Sequence, residues 1–234
     1  MDNEEMGESE KPPIGRRPAA DTAHVVASPS GSAPGARLAT EADIDPIATS
    51  LALAFASDPV MSWLLGGDGA TPPKHAADYF RIETARHLAH PTVFTIDGTA
   101  GAALWDPPGH WKMPTSHILR NAPLLLRAMG TRIPNALRGL SRIEKVHGTY
   151  PDHYYLAVLG TRPDAQGHGI GSRVLQPVLD TCDREGIGAY LESSKDTNIP
   201  FYRRHGFEVI TEVPFPGGGP SVWPMWRDPR PTHG

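Results

Sequence analysis

Cysteine occurs once in the 234 residues, so Cys182 has no partner for an internal disulfide and cannot found a cysteine-based zinc site. That scarcity fits a reducing compartment. No apolar stretch approaches the roughly 18 residues that cross a bilayer, and the N-terminus lacks the apolar run of a secretory signal. A soluble, cytoplasmic protein without a membrane partner is expected. The sequence Gly-Lys-Ser/Thr is missing, which removes an ATP or GTP loop of the Walker type. No histidine pair has zinc-protease spacing, so no metal is expected.

Charge is also scarce once the start of the chain is set aside. The net charge is -4, and residues 1–36 hold six acids against three bases. The remainder is near neutral, which gives a nucleic-acid partner no global electrostatic support. Residues 1–36 contain no aromatic and are rich in Pro, Gly and Ser, as in Ser28-Pro29-Ser30-Gly31-Ser32. Such a segment buries too little apolar surface to offset its ordering entropy. It is expected to be a disordered tail ahead of one domain at 37–234.

Within that domain, Arg37-Leu38 reads as a short strand, and Thr40 as the cap of a helix carrying Ile44, Ile47, Leu51 and Phe55. Asp58-Pro59 suits a second helix start, and 74–90 a further helix. Strands at 92–96 and 100–105 flank Asp97-Gly98, the chemistry of a tight hairpin turn. The stretch 110–150 reads as helical and basic, with Glu144 its one acid. Its arginines and lysines suit a solvated face, or a surface for an anion or substrate. Tyr154 to Leu159 is apolar throughout, as in a strand buried at a sheet centre. A helix from Gly171 to Arg184, a strand at 189–193, a short helix at 199–205 and strands at 207–213 and 222–227 complete the order. Pro177 should bend its helix. Pro224 argues for an edge or a bulge, and Cys182 continues the buried spacing of Val174, Leu175, Val178 and Leu179.

Gln166-Gly167-His168-Gly169-Ile170-Gly171 leaves the central strand and opens a helix. Glycines let a backbone approach an anion closely, and a helix N-terminus adds N–H groups and a partial positive charge. Phosphate binding follows. A dinucleotide fingerprint asks for a third glycine at 172, where Ser172 stands, and too little chain follows to complete a doubly wound sheet.

Gln166-x-x-Gly169-x-Gly171, together with Asn198-Ile199-Pro200-Phe201-Tyr202 and Gly206-Phe207, resembles the acetyl-CoA signature of the GNAT superfamily of N-acetyltransferases. The similarity is closest to the puromycin N-acetyltransferase group. Leu159-Gly160-Thr161, Leu191-Glu192-Ser193 and Asn198-x-Pro200-Phe201-Tyr202 stand there in the same order. The resemblance implies an α/β fold with a mixed, mainly antiparallel twisted sheet flanked by helices. It also implies acetyl-CoA as cosubstrate and a direct acetyl transfer to a small, antibiotic-like amine, in a monomer or a homodimer.

By that resemblance, the backbone of Leu159, Gly160 and Thr161 pairs with the pantetheine arm. Gln166, Gly167, His168, Gly169, Gly171 and Ser172 surround the pyrophosphate. Asn198 bonds the pantetheine or caps its own helix. Tyr202 is the candidate acid for the departing thiolate, because a phenol beside the sulfur can yield its proton as charge develops. Glu192 is the candidate base, since the attacking amine must be neutral. The competing readings are a pair of core aromatics at Phe201-Tyr202 and a structural ion pair at Glu192. His147 and His153 are further candidate bases. A non-catalytic acyl-CoA-binding regulator and a protein N-acetyltransferase are the rival functions.

Overall fold

The computed structural model describes residues 35–231. The expected tail lies outside them except for its last two residues, and Ala36 already opens β1 (Ala36–Leu38). The chain turns next at Asp43, whose carboxylate accepts both terminal nitrogens of Arg37, at 2.8 and 2.7 Å, and the Thr40 N–H at 2.8 Å. Three helices follow: α1 (Ile44–Ala54), α2 (Pro59–Leu65) and α3 (Ala76–His87). Then come β2 (Val93–Ile96), β3 (Gly101–Asp106), α4 (Thr115–Met129) and α5 (Ile133–His147). The rest of the fold is β4 (His153–Thr161), α6 (Ile170–Glu185), β5 (Gly188–Ser193), α7 (Ile199–Arg204), β6 (Glu208–Val209), β7 (Val213–Pro214) and β8 (Ser221–Arg227).

One sheet runs in the order β1-β2-β3-β4-β5-β8-β6, with β7 paired to β8. Among the described residues only β4 and β5 pair in parallel, with α6 as their crossover, so the mixed, mainly antiparallel sheet is as expected. Each face of the sheet is covered. Ala103 and Trp105 of β3 meet Val174, Val178 and Cys182 of α6, whereas Ala102 and Leu104 meet Ile47, Leu51 and Phe80 of α1 and α3. In β4, Leu156 lies in the α6 layer but Val158 in the α1 layer, although alternation should put them on one face. The β3–β4 register shifts between Leu104 and Trp105, paired with Val158 and Leu156, and the extra residue Ala157 is a β-bulge that turns the strand over.

Three sequence expectations need correction. The β2–β3 connection is not a two-residue turn, because a longer loop from Asp97 to Ala100 joins the strands, with Gly98 and Thr99 in left-handed backbone at φ 75° and 50°. The strand expected at 207–213 is two short pieces, β6 and β7. Pro224 lies opposite the break between them: its carbonyl accepts Ile210 N–H at 2.9 Å, but it has no N–H to return. Nor does Pro224 mark a sheet edge, since β8 has β5 on one side and β6 and β7 on the other. Helix α6 runs unbroken through Pro177, and Cys182 is fully buried as expected.

Candidate active site at the parting of β4 and β5

The two central strands pair only from His153↔Gly188 to Leu156↔Leu191. Beyond that rung β4 follows β3 as far as Gly101↔Thr161, while β5 follows β8 as far as Ser193↔Trp223. The backbone of 157–161 therefore has no strand on its β5 side, and a cavity of about 930 Å³ opens along it. An exposed strand edge of this kind accepts an extended amide-bearing arm by main-chain hydrogen bonds. Helix α1 forms one wall by direct contact: a Cβ on Gly160 would lie 2.7 Å from Leu51 Cδ2 and 3.0 Å from Phe55 Cε2.

At one end of the cavity stands the glycine loop. Gly167 and Gly169 have φ of 79° and 72°, left-handed values that cost a residue with a Cβ about 1–2 kcal/mol. Gly169 caps α6, whose first backbone bond runs from Arg173 N–H to the Gly169 carbonyl at 3.1 Å. The N–H groups of Ile170, Gly171 and Ser172 precede it and have no intrahelical acceptor. They point with the positive end of a sixteen-residue helix, an arrangement that suits a pyrophosphate. Ser172 Oγ is fixed by a hydrogen bond with His205 Nε2 at 2.9 Å. Burial, and then the charges of Arg204, Arg230 and Arg227, lower the pKa of His205.

Leu159, Gly160, Thr161, Gln166, Gly167, Gly169, Gly171, Ser172, Asn198, Glu192 and Tyr202 all line this cavity. His168 does not; it is exposed, with Nδ1 3.3 Å from the Ala165 carbonyl. Gln166 Nε2 donates to the Thr161 carbonyl at 3.1 Å and pins the loop to the end of β4. Asn198 makes no side-chain cap bond, so its amide remains available to the cavity. These groups fit an acyl-CoA: a strand edge for the pantetheine and a cationic helix end for the phosphates.

The chemistry-bearing side chains stand further in. Glu192 Oε2 accepts the Tyr155 hydroxyl at 2.7 Å, and Glu192 Oε1 lies 3.5 Å from His147 Nδ1. Burial, and then the charge of Glu192, raise the pKa of Tyr155 well above the usual phenol range, so its hydroxyl stays a donor. Tyr202 is buried against Phe201 and Phe207. Its phenol is held neutral by burial and by the charge of Asp58.

Asp58, Tyr155 and Ser194 also line the cavity, a role that no local motif signals. Asp58 does start a helix, as read: its Oδ1 accepts Val60 and Met61 N–H, both at 2.9 Å. Its second oxygen accepts Ser194 Oγ across the gap, a contact with no local sequence signal.

Residues 102–207 match the model of the acetyltransferase (GNAT) family. The crystal structure of histone acetyltransferase HPA2 and related acetyltransferase from Corynebacterium glutamicum superposes with a TM-score of 0.62 at 23% identity, over 86% of this chain and 98% of that one. The fold is that of the GNAT superfamily. By sequence, an uncharacterised N-acetyltransferase of Schizosaccharomyces pombe is 29% identical over 174 residues, 70% of each chain. N-alpha-acetyltransferase RimI of Mycobacterium tuberculosis is 35% identical over 84 residues, 35% of this chain and 52% of that protein. The matched segment begins in β3 and ends at Phe207, so it contains the bulge, the glycine loop, Glu192 and Tyr202.

Proposed function

We propose that this protein is an acetyl-CoA-dependent N-acetyltransferase that passes the acetyl group directly to an amine. One observation carries the reading: a single cavity holds an unpaired strand edge, a helix N-terminus, a buried carboxylate at Glu192 and a neutral phenol at Tyr202. Holding thioester and amine together supplies much of the acceleration in such a transfer. Glu192 removes a proton from the incoming ammonium and Tyr202 supplies one to the sulfur. Cys182, buried in the α6 layer, takes no part as an acyl carrier.

The acceptor in this reading is a small amine. Its end of the cavity is walled by Met61, Leu64, Tyr79, Ile143 and Phe215. Such a largely apolar wall suits a compact organic amine. The likeness to the puromycin N-acetyltransferase group points the same way. A second reading, acetylation of protein N-termini, is favoured by the match to the mycobacterial N-alpha-acetyltransferase.

Release of CoA thiol from acetyl-CoA, measured over a panel of small amines and N-terminal peptides, tests both. Release with small amines alone supports the first reading, and release with peptides alone replaces it by the second. No release with any acceptor sinks the enzymatic reading.

A further inference from the structure

Three groups behind the cavity form a proton circuit with one proton missing. His153 Nδ1 lies 2.6 Å from the Pro151 carbonyl, and a carbonyl only accepts, so that nitrogen carries the hydrogen. Burial lowers the pKa of His153. Its Nε2 is then a lone pair, and His147 Nε2, 2.7 Å away, is the donor to it. The same logic leaves neutral His147 with a lone pair on Nδ1. That lone pair faces Glu192 Oε1 at 3.5 Å, and Oε1, fully buried, has no hydrogen-bond donor. Two acceptors confront each other with no hydrogen between them.

The surroundings favour filling that gap with a proton. The His147 ring is sandwiched between Trp111, with centroids 3.9 Å apart and planes at 15°, and Tyr190, at 4.2 Å and 25°. Two π faces stabilise an imidazolium more than a neutral ring. The groups facing His147 come from every side: Glu192 and Tyr190 from β5, His153 and Tyr155 from β4, and Trp111 with Lys112 above it from the segment before α4. Asp106 of β3 lies behind Tyr155. Tyr190 Oη makes no well-aligned hydrogen bond, but it lies near enough to Glu192 that burial, and then that carboxylate, raise its pKa and keep it a phenol.

We infer that the proton taken from the acceptor ammonium is lodged between Glu192 Oε1 and His147 Nδ1, with His147 a positioning residue that acts through Glu192. This inference rests on the acetyltransferase reading. The balance is simple. The ammonium gives one proton to the pair, the nitrogen–carbon bond forms, and the carbon–sulfur bond breaks. Of the two protons that leave nitrogen, one ends on sulfur and the other passes from the pair to solvent.

Two measurements on the full chain test it. His147→Gln keeps a donor toward His153 but cannot hold the proton. Its kcat/KM should fall about 10²-fold near neutrality and recover as the pH approaches the amine's own pKa, with acetyl-CoA affinity unchanged. A loss equal at every pH, or no loss, overturns the inference. Independently of turnover, imidazole nitrogen NMR should show His147 protonated on Nε2 alone at high pH, with Nδ1 gaining its proton on acidification. Glu192→Gln should change that uptake. A hydrogen on Nδ1 at high pH, or a titration unmoved by Glu192→Gln, overturns it as well. A wild-type protein that acetylates nothing refutes the acetyltransferase reading instead, and NMR then judges the proton site by itself.

Discussion

Tyr155 donates its phenol to Glu192 Oε2 over 2.7 Å, one residue beyond the last rung that joins β4 to β5. The strands whose parting opens the cavity thus also station its carboxylate. Removing that hydroxyl leaves a buried carboxylate short of a donor, at a cost of about 1–3 kcal/mol. Tyr155→Phe should lower the urea midpoint accordingly and reduce kcat, with acetyl-CoA affinity intact. Denaturation followed by steady-state kinetics checks both.

Tyr202 bears on the other end of the transfer. If its phenol protonates sulfur, Tyr202→Phe should lower kcat by about 10²-fold and leave the dissociation constant for acetyl-CoA nearly unchanged. Calorimetric titration beside turnover separates the two quantities. An unchanged kcat removes the acid role from Tyr202.

Gly169 holds the loop in a left-handed turn, at φ 72°, just where α6 begins. Nothing crowds a Cβ there, so the penalty of Gly169→Ala is conformational, about 1–2 kcal/mol. The relief available is a shift of the loop. We expect acetyl-CoA to bind at least 10-fold more weakly while the unfolding temperature moves by only a few degrees. Equal affinity in the variant would show that the phosphates are held elsewhere.

Arg227, 2% exposed, grips Asp183 with two bonds of 2.7 Å and donates to the His205 carbonyl at 2.9 Å. Arg227→Met should cost about 3–5 kcal/mol, because the carboxylate stays behind without its partner. Burial raises the Asp183 pKa, but the Arg227 fork and the Arg230 N–H outweigh it, and the net shift is downward. The native state therefore favours the ionised form. The stabilisation is present above the unfolded-state pKa, about 3.9 for Asp, and is lost as the pH falls through the native value. Acid titration of unfolding should show this loss in the wild type and not in Asp183→Asn.

The parts of the site that lie close together along the chain were legible in the sequence. The glycine spacing at 166–171 announced a helix that opens on an anion, and the structure places that loop at the end of β4. Asp58 starts its helix as its residue type suggests, whereas Thr40 precedes only a short helical turn and gives its hydroxyl to Asp43, the residue before α1. What depends on contacts between distant segments was not legible. The second oxygen of Asp58 reaches Ser194, 136 residues away. Tyr155 and Tyr190 read only as apolar strand residues, because a hydroxyl's destination is set by which strand lies alongside. The bulge at Ala157 has no signature in composition, yet it decides which of Leu156 and Val158 faces α6. His168 illustrates the reverse: a place in the motif did not bring its side chain into the cavity.

The single parallel pair has a consequence for how this protein can vary. A parallel neighbour demands a crossover, and here β4, the glycine loop, α6 and β5 make up one uninterrupted stretch from His153 to Ser193. On the proposed reading the acceptor wall comes instead from α2, α3, α5 and the β7–β8 region, all outside that stretch. Handle and tool are thus encoded separately. On that reading a lineage can exchange the surfaces that choose an amine, by insertion or recombination, while the strand edge and the glycine loop are inherited together.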